Sequence, residues 1–287
     1  MQIVHTITED AGRTDKLFNA AHVYSSLNRK LIPPVDGQGN AQAFALNVKV
    51  YSDAANTATF ETAGNSYVTK QAVKQWFRVW KNGLREAGVS MKDLGPYGRA
   101  FKPRLNASDS TLGSGAEAGR GEWNYSDMVV TPAVTSTGGI GAPELADQYS
   151  LHLLGSTVLE SGVDTRKYTS VGMIESWLGS RRKYAGASSG DGSEVQEDDV
   201  FDQDNPLLLA RGGALHSEMM LDEVRDLQKD EPPYTEDEFI GTYKQAIVKT
   251  DANLSSSCDI IAPCGLVQVT TTAAATLVFT LVGIGDM

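Results

Sequence analysis

Cysteine is nearly missing from this sequence. Its 287 residues hold only Cys258 and Cys264, and five intervening residues with no second pair match no zinc-site spacing. They read as free, buried thiols, with a local disulfide as the alternative. Histidine is sparse as well. His5, His22, His152 and His216 are scattered and form no His-x-x-x-His or Glu-associated pair, which leaves a zinc hydrolase without support. No Gly-x-Ser-x-Gly elbow occurs, and no Walker lysine follows a glycine loop, so nucleophilic and nucleotide hydrolysis lack their usual signatures. The loop Gly113 to Gly119 follows a turn-rich region and has the wrong spacing for a dinucleotide fingerprint. These absences together read as a protein that is not an enzyme.

Long apolar runs are missing too. The most apolar stretch, Thr276 to Ile284, is about half the length needed to cross a bilayer, and its β-branched content suits a buried strand. The start, Met1 to Thr6, has neither a basic n-region nor an apolar h-region and soon reaches Glu9 and Asp10, so neither a secretory signal nor a transmembrane segment is expected. Positive charge is in short supply. Lys and Arg number 25 against 36 acidic residues, a formal charge of -11, and a mean field of that sign repels nucleic acid and anionic membrane alike. Any contact with a polyanion must be local. What is abundant is glycine, at 28 residues, with repeated Thr, Ser and Ala, the mark of many short elements joined by turns.

Periodicity places the elements. Residues 1–40 hold one short strand candidate, Ile3 to Thr8, and then Pro33-Pro34, Gly37 and Gly39, which read as an N-terminal arm or linker. The domain proper spans 41–287. Phe44, Leu46, Val48 and Val50 alternate with Ala45, Asn47, Lys49 and Tyr51, the pattern of a half-buried strand. A second strand, Thr57 to Thr62, follows closely enough to suggest a hairpin. From Val73 the period changes to steps of four and three through Phe77, Trp80, Leu84 and Ala87, which predicts a helix near 69–87 with Thr69 as N-cap and Gly88 as its stop. Residues 95–121 read as a long irregular excursion. Strands are expected at Asp127 to Val134 and Tyr149 to Leu159, while Tyr168 to Trp177 fits either strand or helix. A second helix is expected near 214–229, ended by Pro232-Pro233. Two strand-like runs, Asp259 to Thr270 and Thr276 to Ile284, close the chain. The expected class is mainly β, an antiparallel β-sandwich of jelly-roll type with helices and long loops between strands.

Two charge features stand out. Residues 186–205 are Ser/Gly-rich and then acidic, with Asp198, Asp199, Asp202 and Asp204 clustered and no basic residue. Clustered oxygen ligands suit a hard cation, so a bound Ca2+ is the cofactor to test there, although the glycine and glutamate of an EF-hand loop are lacking. The second feature is a local reversal of sign. Lys70, Lys74, Arg78, Lys81 and Arg85 follow the rhythm of the apolar stripe and form a basic ridge beside it. Such a ridge is suited to phosphate backbones or to an acidic patch on a neighbouring subunit. A solvated helix face is the plainer alternative. Trp76 and Trp80 read as core or interface anchors rather than base-stacking platforms.

Short strands, helices in the connections, long Gly/Ser/Thr-rich excursions and a terminal apolar pair, Ile260 to Val269 followed by Thr276 to Leu281, resemble the jelly-roll capsid proteins of small viruses and phages. The resemblance covers roughly residues 40–285. It implies a virion protein, made in the host cytoplasm, that assembles with copies of itself into a shell around a nucleic-acid genome. Residues 1–30 carry only Arg13, Lys16, Arg29 and Lys30. In the absence of a basic arm, genome charge falls to the basic helix, another protein or an internal membrane. The alternative reading is a carbohydrate-binding or adhesion module on a β-sandwich, with Trp123, Tyr125 and Trp177 stacking on sugars.

Overall fold

The computed structural model describes residues 1–9, 13–107, 110–111, 123–130, 147–159, 168–184 and 240–287. The chain divides into two units, Met1–Leu178 with Glu236–Met287, and Gly179–Thr235. Of the second unit, the described residues are the last few of one helix. In chain order the elements are β1 (Val4–Glu9), β2 (Arg13–Asn19), α1 (Ala20–Asn28), β3 (Gln42–Ser52), β4 (Asn56–Thr62) and α2 (Tyr67–Glu86). There follow β5 (Ser110–Thr111), β6 (Asp127–Val130), β7 (Asp147–His152), β8 (Val158–Leu159), β9 (Tyr168–Gly172) and α3 (Met173–Tyr184). The last four strands are β10 (Tyr243–Thr250), β11 (Leu254–Pro263), β12 (Leu266–Thr271) and β13 (Ala275–Asp286).

The long strands pair in a nested order. β1 pairs with β13, β2 with β12, β3 with β11 and β4 with β10, all antiparallel. Further pairing of β13 with β3 and of β12 with β4 completes two sheets, one ordered β1-β13-β3-β11 and the other β10-β4-β12-β2, with the two-residue β5 added at its edge. The sheets pack face to face as a β-sandwich. Phe44, Leu46, Val48 and Val50 point inward from the first sheet and meet Phe18, Phe60, Val267 and Val269 from the second in one buried cluster. Phe279 of β13 stacks on Phe18 with ring centroids 3.8 Å apart and meets Phe60 edge-on at 6.4 Å. Aromatic pairs across a core add to the area they bury, so this trio fixes how the sheets face each other.

Between β4 and β10 lies the long insertion that carries α2, α3 and a third sheet, ordered β6-β7-β9-β8. Its core joins Phe77 and Trp80 of α2 with Phe101, Leu151, Val171 and Ile174, and includes Leu17 on the outer face of β2. That contact explains why β12, beside β2, is buried on both faces, whereas the first sheet shows an alternation of buried and exposed residues. A sheet covered on two sides loses its polar alternation.

Several elements differ from expectation. Residues 1–40 supply two paired strands and a capped helix rather than an arm. Asn19 caps α1 by accepting from His22 N at 3.0 Å. β3 and β4 form no hairpin, because the chain crosses from one sheet to the other between them. The run Asp259 to Thr270 is likewise two strands in different sheets, broken where Cys264 and Gly265 both take positive φ, 54° and 73°. A Cβ on Gly265 would stand 2.9 Å from Ala21 N, so glycine is required at this corner. The opposite crossing is tied by Asn56, whose Oδ1 accepts from Thr272 N and Ala273 N while Nδ2 donates to Ala273 O. Tyr168 to Trp177 is both strand and helix, β9 followed by α3, and Tyr149 to Leu159 is split between β7 and β8. The helix expected near 214–229 lies outside the described residues.

Candidate functional site

The basic row lies along α2. Ser66, rather than Thr69, caps the helix by accepting from Thr69 N at 3.2 Å. Gly88, at φ 74°, closes its C-terminal end. Val73, Phe77 and Trp80 are buried, and Trp76 Nε1 donates to Met173 O at 3.2 Å. Both tryptophans thus anchor the helix to the insertion core. At about 100° per residue, Lys70, Lys74, Arg78, Lys81 and Arg85 fall within an arc of about 80° over a length of about 22 Å. Lys70 and Lys74 are half-buried, and Arg78, Lys81 and Arg85 are exposed. Lys81 Nζ lies 5.8 Å from the Phe77 ring centroid, and Arg85 donates to Asn82 Oδ1 at 3.2 Å. Among the described residues none of the five forms an ion pair. The helix carries one carboxylate, Glu86, at its end, leaving a cationic strip in an acidic chain.

The other candidate residues divide clearly. Asp198, Asp199, Asp202 and Asp204 lie outside the described residues, as do the glycine loop 113–119 and the rest of the acidic segment. Among the described residues no group of three or more His, Cys, Asp or Glu side chains is arranged to hold a metal ion, and no helix is long and apolar enough to cross a membrane. Cys258 and Cys264 are both free; Cys264 is buried and Cys258 half-buried. Burial pushes the Cys264 thiol up to about 12. Burial and the neighbouring Asp259 carboxylate push Cys258 up to about 11.

The aromatics considered for sugar stacking are engaged with neighbours. Lys102 Nζ sits over the Trp123 ring at 5.1 Å, the Arg104 guanidinium over Tyr125 at 4.8 Å, and Trp177 meets Tyr67 edge-on at 6.1 Å. In the sequence Lys102 and Arg104 only continue a positive stretch. The signal for their pairing is the matched alternation of Lys102-x-Arg104 with Trp123-x-Tyr125.

A Ser–His pair also emerges that no motif announced. His152 Nε2 lies 3.2 Å from Ser170 Oγ, and Nδ1 is hydrogen-bonded to Leu154 O. A carbonyl only accepts, so Nδ1 carries the proton and Nε2 accepts from the serine. His152 is fully buried and Ser170 nearly so. A Cβ on the adjoining Gly172 would stand 2.2 Å from Gly155 O. With both ring nitrogens satisfied in a packed interior, the pair braces the third sheet.

No protein-family model, curated protein or solved structure matches the chain.

Proposed function

We propose that this chain is a structural protein of jelly-roll type that assembles with copies of itself into a virion shell, with the α2 row facing the enclosed nucleic acid. The observation that supports this reading is the nested pairing, first strand with last through fourth with fifth, which gathers eight long strands into two four-stranded sheets. A jelly roll is an eight-stranded double sheet of two Greek keys, an architecture used by viral capsid and lectin domains. The long insertion falls between β4 and β10 and covers the outer face of β2 and β12, leaving the sandwich itself an uninterrupted block. The cations of α2, which form no ion pair among the described residues, then supply the local attraction that a chain of charge -11 otherwise opposes.

Electron microscopy and analytical ultracentrifugation of the purified protein test the assembly. Particles of fixed diameter are expected, and a monodisperse monomer or dimer under all ionic conditions would sink the reading. Replacing Lys74, Arg78, Lys81 and Arg85 by Gln tests the row. For every phosphate that a removed cation had neutralised, the slope of log affinity against log salt should fall by about 0.7 for a single strand. Unchanged nucleic-acid content and salt slope would remove α2 from the interface.

A further inference from the structure

Two segments of the insertion meet at Lys102 and Ser126. Ser126 N donates to Lys102 O, and Lys102 N donates to Ser126 Oγ, each at 2.9 Å. Around that junction Lys102 stands over Trp123 and Arg104 over Tyr125. The result is a two-rung ladder, ammonium over indole and guanidinium over phenol, with Asp127 4.0 Å from Arg104 at its far end.

The ladder leaves positive charge uncompensated. Lys102 is only 7% exposed, and it has no carboxylate partner among the described residues. Lysine is almost never buried so completely unless paired. Burial alone lowers its basicity, with no acidic neighbour opposing that effect. Two more donors on the same strip, Arg104 Nε and Trp123 Nε1, are buried with no acceptor. Native proteins rarely leave such groups unpaired. Asp127 offsets one of the two cations at most.

We propose that the Lys102–Arg104–Trp123 strip is an oxyanion site that takes a phosphate group. A tetrahedral dianion offers acceptors for three separate donors and balances two cations, whereas a carboxylate brings two oxygens and one charge. The Arg104 side chain, 33% exposed, gives the strip an open end from which a free phosphate or a phosphate of a nucleic-acid strand can enter. The site is separate from the α2 row and is testable on unassembled protein, so its failure would leave the shell reading untouched.

The test is binding of inorganic phosphate, and separately of a short oligothymidylate, followed by melting temperature and tryptophan emission at constant ionic strength with chloride as reference. Phosphate should raise the melting temperature above the chloride control, and Lys102→Met should weaken binding about ten-fold or more. Arg104→Gln, at the partly exposed end, should do the same if the lysine variant fails to fold. The four-Gln variant of α2 should keep the phosphate response in full. An oligothymidylate response that phosphate competes away identifies the strand as the source, and a response to inorganic phosphate alone identifies the free ion. Phosphate acting no differently from chloride, or a response abolished by the α2 variant but by neither strip variant, would overturn the assignment.

Discussion

The alanine substitution of Phe279 probes the joint between the two sheets. Its ring is fully buried, stacked on Phe18 and edge-on to Phe60, so truncation removes both the apolar burial and two aromatic pairs. Core Phe→Ala changes cost about 3–5 kcal/mol, and each ring pair accounts for about 0.5–1.5 kcal/mol. With two such pairs at one position, the expected loss is about 4–5 kcal/mol, a large part of the roughly 5–15 kcal/mol that stabilises a native domain. Urea unfolding followed by far-ultraviolet circular dichroism reads it directly. For a slope of about 3 kcal/mol/M, the midpoint falls by about 1.5 M. The Phe18→Ala, Phe279→Ala double variant should lose less than the sum of the two singles, because the stacked pair is counted twice. Val282→Ala is the control. Val282 sits on the same strand at 68% exposure, where a change within about 0.5 kcal/mol is expected. A Phe279→Ala loss below about 2 kcal/mol, or one matching Val282→Ala, would refute the inward register of β13 and the face-to-face packing built on it.

Three further outcomes are expected. Asn56→Ala strips the clamp from the loop between β12 and β13 and should cost about 1–3 kcal/mol; a loss under about 0.5 kcal/mol in urea unfolding would count against the clamp. Burial, more than the nearby Arg104, holds His152 below the ordinary histidine value of 6.5, against the raising effects of the Leu154 carbonyl and Glu175. Its stabilisation is therefore complete above about pH 6.5 and lost as pH falls towards the lower folded value, at no more than about 1.4 kcal/mol per pH unit. His152→Gln should flatten that slope in unfolding measured from pH 7 to 5, and an identical slope would exclude His152 as its source. Both cysteines should resist a thiol reagent at pH 8 in the native protein and react fully in denaturant, since the thiolate is the reactive form; rapid native labelling of Cys264 would contradict its burial.

Local pattern was enough to determine some of the elements, though not β2, α1 or β10. Strict alternation from Phe44 to Val50 announced β3 and its inward face, and the four-three rhythm from Val73 announced α2 with its stripe and its row of cations. Each of those signals is carried by neighbours within a few residues, through strand pleat and helix pitch. The β-sandwich followed from the same logic of alternating faces, glycine and turn residues.

Partner choice between strands was decided only in three dimensions. Nothing near Thr57 states that β4 belongs with β10, some 180 residues later, and closeness in sequence favoured a hairpin with β3 that the crossing at Asn56 forbids. Two turn residues, Cys264 and Gly265, divide what reads as one apolar run, because the chain must change sheets where Ala21 and Phe44 leave room only for glycine. The ladder of Lys102, Arg104, Trp123 and Tyr125 has the same origin. Its two halves lie about twenty residues apart in sequence, and only the tertiary structure brings Lys102 and Arg104 over Trp123 and Tyr125.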